Sequence, residues 1–104
     1  MERFVWKGHI KPNRLEEYVE KHQNIWPEME ELMRIAGMRN YSIWNFGNEL
    51  IGYYEFLGME RKQQAYMAHQ DILCRWNAHM NGIMEMDKDE NGQIKNYAMI
   101  WLME

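Results

Sequence analysis

The stretch Tyr41-Ser42-Ile43-Trp44-Asn45-Phe46-Gly47-Asn48-Glu49-Leu50-Ile51-Gly52-Tyr53-Tyr54-Glu55-Phe56-Leu57 is two apolar runs around a short polar turn. Aromatic and β-branched residues fit a pleated, half-buried surface, while Gly47-Asn48 tolerates the backbone of a tight turn. Tyr41 to Phe46 and Leu50 to Leu57 therefore read as a β-hairpin. Toward the N-terminus, Gly37 is placed to cap the end of a helix that carries Met29, Leu32, Met33 and Ala36 on one face. Pro27 suits the first position of that helix and cannot sit inside a longer one, so Asn24-Ile25-Trp26 is a bend between two helical pieces. The earlier piece runs through Tyr18 and His22, and Asn13 with Glu16 resembles a capping box at its start. Before Pro12, Phe4 to Ile10 alternates as a strand, with Phe4, Trp6, Gly8 and Ile10 on one face and Val5, Lys7 and His9 on the other.

Toward the C-terminus, Glu60 to His69 reads as helical, and Asp71 can cap a helix bearing Ile72, Trp76, Met80 and Ile83. Met86 to Gln93 is a polar loop with Asn91-Gly92 as its turn signal, and Tyr97 to Met103 is expected as the last strand. The order strand, helix, strand, strand, helix, strand is the ferredoxin-like α+β pattern: a four-stranded antiparallel sheet with helices on one face. At 104 residues it forms one domain, 1–104. Both faces of the strands are apolar: Tyr41 and Ile43 oppose Trp44 and Phe46, and Tyr97, Met99 and Trp101 oppose Ala98, Ile100 and Leu102. The helices cover only one side, so a homodimer packed sheet to sheet is expected.

Composition narrows the function. A net charge of −4 without a Lys/Arg cluster argues against nucleic acid as a partner. The N-terminus lacks the apolar run of a signal peptide, and no stretch has the length of a membrane span. One cysteine, Cys74, forms no disulfide within the chain and suits a reducing compartment, so a cytoplasmic protein with no membrane partner is expected. Cys74 has no base at a fixed spacing and is expected as a buried, inert thiol.

Tyr18, His22 and Trp26 recur four residues apart, which places Tyr18 and His22 on one helix face. A phenol, an imidazole and an indole together can grip a sugar, and the imidazole can give and take a proton near neutrality. The same residues also fit an ordinary aromatic core around a satisfied histidine. His9, His22, His69 and His79 lack the short paired spacings of a metal site, and no metal is expected. His9 and Glu55 interrupt apolar strands, which fits either a wet cavity or a solvent-facing sheet edge. Arg75-Trp76-Asn77 sets a cation, an aromatic plate and an amide side by side.

The run Glu17-Tyr18-Val19-Glu20-Lys21-His22-Gln23-Asn24-Ile25-Trp26-Pro27-Glu28 resembles the L-rhamnose mutarotase family, as do Gly37, Asn40-Tyr41-Ser42-Ile43 and Arg75-Trp76. The resemblance spans most of the chain, from the first strand to the helix around Met80. It implies a ferredoxin-like domain of the dimeric α/β barrel type, no cofactor, and a monosaccharide substrate. The implied reaction interconverts the α and β anomers of L-rhamnose or a related deoxyhexose. It gives His22 the proton-donor role and gives Tyr18, Tyr41, Trp76 and Asn77 substrate contacts. The family carries a second Trp where this chain has Asn77, and an Asn-Pro-Asp-Asn-Ser-Pro string where it has Asp87-Lys88-Asp89-Glu90-Asn91-Gly92. Exchanging an aromatic plate for an amide alters which sugar hydroxyls are read. Two other functions share the fold: a cofactor-free or haem-handling monooxygenase, and a non-catalytic monosaccharide-binding module.

Overall fold

The hairpin opens into a four-stranded sheet. A computed structural model describes all of residues 1–104. Strand β1 (Glu2–Ile10) is followed by helices α1 (Leu15–Gln23) and α2 (Pro27–Ile35), then by the hairpin strands β2 (Arg39–Phe46) and β3 (Glu49–Phe56). Helices α3 (Met59–Ala68) and α4 (Gln70–Met80) and the short strand β4 (Met84–Met86) complete the chain's regular structure. The strands lie in the order β2-β3-β1-β4, each pair of neighbours antiparallel. This is the ferredoxin-like arrangement expected from the sequence.

The bend between α1 and α2 forms where Pro27 requires it. Trp26 is extended, as a residue before proline must be, and Pro27 takes the first helical position. Gly37 ends α2 with a φ of +85°, a conformation a side chain would strain. The capping box expected at Asn13 does not form. Asn13 itself turns left-handed (φ +64°) after Pro12, so α1 starts one residue later, behind Arg14, and has no side-chain cap. Arg14 and Glu17 bridge the first turn instead.

The register places Phe4, Trp6, Gly8 and Ile10 beside Tyr54, Gly52, Leu50 and Met84 on the helix-covered face. There Trp6, Ile10, Leu50, Tyr54 and Phe56 join Tyr18, Met29, Leu32, Ala36 and Ala65 in one core, with Leu32, Leu50 and Ile83 fully buried. The other face is open. It carries Val5, Trp44, Phe46, Ile51 and Tyr53, of which Phe46 is 87% exposed.

The fourth strand is not where the sequence pattern puts it. Met84–Met86, directly after α4, takes the place beside Gly8–Ile10. The chain then reverses in a turn held by Asp89, whose Oδ1 accepts from the backbone N–H groups of Asn91 and Gln93. Lys88 and Ile94 bridge across that turn. Tyr97 to Met103 follows without a strand partner, and Ile100 is 98% exposed. A strand needs a neighbour to receive its backbone hydrogen bonds, and the reversal ends before this run begins. Cys74 is likewise exposed rather than buried, because α4 turns Ile72, Leu73, Trp76 and Met80 inward instead.

Candidate active site

Between the sheet and the helices lies a cleft of about 1170 Å³, lined mostly by apolar and aromatic side chains. Tyr18 and His22 enter it from α1, Tyr41 from β2, and Trp76 and Asn77 from α4. The five residues to which the resemblance gives site roles therefore line one cleft, while Trp26, the third member of the four-residue series, does not. The core histidine and the site histidine are not alternatives here: the imidazole packs against aromatic rings and lines the cavity at once.

The His22 imidazole is oriented by its own helix. Its Nδ1 lies 3.0 Å from the backbone carbonyl oxygen of Tyr18, one turn earlier. A carbonyl only accepts, so Nδ1 carries the hydrogen, and in the neutral ring Nε2 is left as a free acceptor. The Tyr18 ring sits 4.3 Å away, centroid to centroid, and the Trp76 ring meets the imidazole edge-on at 5.9 Å. Burial pushes the imidazole below its ordinary pKa, and the Tyr18 carbonyl only partly opposes this. His22 is therefore neutral at pH 7 and able to accept a proton. Burial raises the Tyr18 phenol well above its ordinary value, with Tyr41 adding to the shift, so it stays protonated.

Tyr41 reaches the cleft by the strand's own alternation, two residues before Ile43 on the helix-covered face of β2. Arg39 pairs with Glu55 and Ser42 with Tyr53, so Asn40 and Tyr41 share the space opposite Tyr54. Asn40 takes the left-handed conformation that such a bulge requires (φ +53°), and its side chain donates to Glu55 Oε1. Asn40 takes up the extra residue and Tyr41 stays on the helix side, its ring 4.9 Å from that of Tyr54. Trp6 Nε1–H donates to Tyr41 Oη at 2.9 Å. An indole cannot accept, so the phenol's own hydrogen is left for another partner. Burial holds the Tyr41 phenol up at about 12.

Trp6 can lie flat across the sheet because its neighbour on β3 is Gly52. A Cβ there would fall 2.0 Å from the indole Cε2 and Nε1 atoms. A glycine inside a strand marks such a close approach, but the sequence alone does not say which ring it admits. Tyr54 of β3 also lines the cleft, as do Lys62 and Tyr66 of α3, a helix too weakly amphipathic in sequence to show which face turns inward.

On the helix side, Trp76 stands edge-on to Trp26 at 5.2 Å, and His79 packs against both indoles. Arg75 does not point into the cleft. It pairs with Glu28 on α2, its guanidinium 5.7 Å from the Trp26 ring, and so fixes α4 to α2. His9 and Glu55 lie outside the cleft, His9 beside Glu85 and Asp87, and Glu55 accepting from Tyr53 and Asn40. No group of three or more His, Cys, Asp or Glu side chains is placed to hold a metal ion. No helix is long and apolar enough to cross a membrane.

A neutral imidazole with a free Nε2, phenol hydrogens without protein acceptors and flat indole walls thus line one cleft of a ferredoxin-like domain. Residues 3–103 match the family model for L-rhamnose mutarotase. The chain is 30% identical over 92 residues to L-rhamnose mutarotase from Burkholderia cenocepacia (strain HI2424), covering 86% of each chain. It is 32% identical over 93 residues to the enzyme of that name from Lachnoclostridium phytofermentans, covering 88% of each. The crystal structure of an L-rhamnose mutarotase from Formosa agariphila superposes over 100% of both chains with a TM-score of 0.75, at 23% identity. The chain belongs to the L-rhamnose mutarotase family, isomerases that act on sugar anomers.

Proposed function

We propose that the cleft interconverts the α and β anomers of L-rhamnose or a related deoxyhexose, with His22 as its central proton-transfer residue. The observation that carries this is the fixed tautomer of a neutral His22, Nδ1 tied to the Tyr18 carbonyl and Nε2 free. Nε2 takes the proton of the anomeric hydroxyl as the C1–O5 bond breaks and the C1 carbonyl forms. A phenol hydrogen from Tyr18 passes to the ring oxygen, which leaves as the O5 hydroxyl. Rotation about C1–C2 presents the other carbonyl face, and the same transfers in reverse close the ring. Positioned acid/base groups of this kind contribute about 10²–10⁴-fold, enough for a reaction that also proceeds unaided.

The remaining contacts follow from the chemistry of each wall. Tyr41 offers its hydrogen to a sugar oxygen, and Trp76 packs the methyl and C–H face of a 6-deoxy sugar. Asn77, exposed beside Trp76, reads a hydroxyl at the rim. We assign the working form as a homodimer in which a second copy covers the open face of Val5, Trp44, Phe46, Ile51 and Tyr53. The large exposed rings and the partnerless apolar run from Tyr97 to Met103 support that assignment. An exposed free thiol at Cys74 suits the reducing cytoplasm.

Saturation-transfer NMR of the two anomeric protons of L-rhamnose tests the reading. The parent protein raises the exchange rate above the buffer rate, and His22→Ala returns it to that rate, a loss of about 10²-fold or more. A His22→Ala protein exchanging anomers as fast as the parent would refute the assignment.

A further inference from the structure

At one end of the cleft, Lys62 of α3 stands among the faces of Phe4, Tyr54 and Tyr66, its Nζ 5.9, 5.0 and 5.5 Å from their centroids. It is half-buried, makes no ion pair with a carboxylate, and donates one hydrogen bond, to Tyr54 Oη at 2.6 Å. Tyr54 is 4% exposed and lines the cleft, and its hydroxyl hydrogen has no acceptor within the protein. Trp6 treats Tyr41 in the same way, and the two phenol rings lie 4.9 Å apart, tilted by 42°. An ammonium, like an indole, can only donate. Each therefore occupies a lone pair of its phenol and leaves the phenol hydrogen to be given away.

We infer that Lys62 is a positioning residue for this reaction: its ammonium holds Tyr54 as an acceptor, so that Tyr54 and Tyr41 present paired hydroxyl donors to oxygens of the sugar. The role is one of recognition. Tyr54 reads a sugar hydroxyl at the end of the cleft, and Lys62 keeps that phenol from turning its hydrogen away. A lysine among three aromatic rings has to keep a desolvated charge, and burial lowers its pKa accordingly. Lys62→Met gives up cation–π contacts and one hydrogen bond but also the cost of a desolvated charge, so little net loss of stability is expected. A residue serving only the fold would behave in the opposite way.

The inference rests on the cleft being the sugar site, and the test separates the two. Anomer exchange is measured against L-rhamnose concentration for the parent, Lys62→Met, Tyr54→Phe, the double variant and Lys62→Arg, with thermal unfolding of each. Absence of exchange in the parent counts against the mutarotase reading itself. With the parent active, Lys62→Met and Tyr54→Phe each raise KM about tenfold, the size of one hydrogen bond, with little change in kcat. The double variant is no worse than either single one, Lys62→Arg stays near the parent, and Lys62→Met melts no lower than the parent. The inference is overturned if Lys62→Met exchanges like the parent, if its effect persists in the Tyr54→Phe background, if the loss falls on kcat, or if it comes with a lowered melting temperature.

Discussion

Gly52→Ala adds one methyl group, yet it should disturb both the fold and the site. The new Cβ would lie 2.0 Å from Cε2 and Nε1 of Trp6, a contact no real pair of atoms makes. The obstacle is a rigid ring, 4% exposed, in the middle of the sheet's covered face. Forcing a side chain into a filled core costs about 1–3 kcal/mol. Displacing the indole also breaks the 2.9 Å bond to Tyr41 Oη, about 1 kcal/mol more. Alanine recovers roughly 0.5–1 kcal/mol through its smaller backbone entropy loss. The net expectation is about 1–3.5 kcal/mol of destabilisation, read as a lower urea midpoint by far-UV circular dichroism. Exchange of L-rhamnose anomers should fall about tenfold, because Tyr41 loses the partner that aims its hydroxyl hydrogen. Gly47→Ala is the control. It has nothing within 4 Å and only its φ of +60° to strain, so it should cost about 1 kcal/mol and leave exchange unchanged. If Gly52→Ala matched the parent in both midpoint and exchange, Trp6 would not lie across β3 and the orientation argued for Tyr41 would fail.

Two further outcomes follow from the charge state of His22 and from the open face. His22 titrates below the roughly 6.5 of an unfolded imidazole because burial disfavours its charged form, so exchange should stay level from pH 8 down through 6.5 and decline only below that. The unfolded chain takes up this proton first as the pH falls, so the stability tied to His22 is complete above about pH 6.5 and diminishes below it. Urea midpoints of the parent and of His22→Gln at pH 7.5 and 5 isolate that change, and a parent whose rate halves near pH 7 would contradict it. Phe46→Glu places a charge on a ring that is 87% exposed in one chain, so it should leave the fold intact and convert a dimer to a monomer by light scattering. A parent that is already monomeric at micromolar concentration would sink the sheet-to-sheet pairing.

The hairpin was legible because its signals are local. Gly47-Asn48 between two apolar runs leaves few alternatives, and Pro27 allows α2 to begin in only one place. Tyr18 and His22 were legible as neighbours because four residues of helix set them one above the other. What the sequence withheld depends on contacts between distant segments. The bulge at Asn40-Tyr41 has no spacing of its own to announce it, and neither has the bond from Trp6 to the Tyr41 hydroxyl across two strands. Lys62 looks like any exposed helix lysine until α3 is laid against Phe4 and Tyr54. The expected capping box failed because it depends on backbone conformation as well as residue type: Asn13 is left-handed, and α1 begins behind Arg14 without a side-chain cap.

The misplaced last strand shows where pattern and partner part company. Tyr97 to Met103 has the composition of a strand covered on both faces, but composition specifies only what the backbone would do with a neighbour. Met84–Met86 reaches the end of β1 first because it lies only a few residues beyond α4, and a short closure costs less chain entropy than a long one. The longer and more apolar run is then left with no partner in its own chain, on the same molecule that leaves Trp44 and Phe46 uncovered. Both surfaces ask for burial, and a single chain supplies neither. The proposed homodimer would cover both at once, and on that reading the open sheet and the unpaired tail are one feature rather than two.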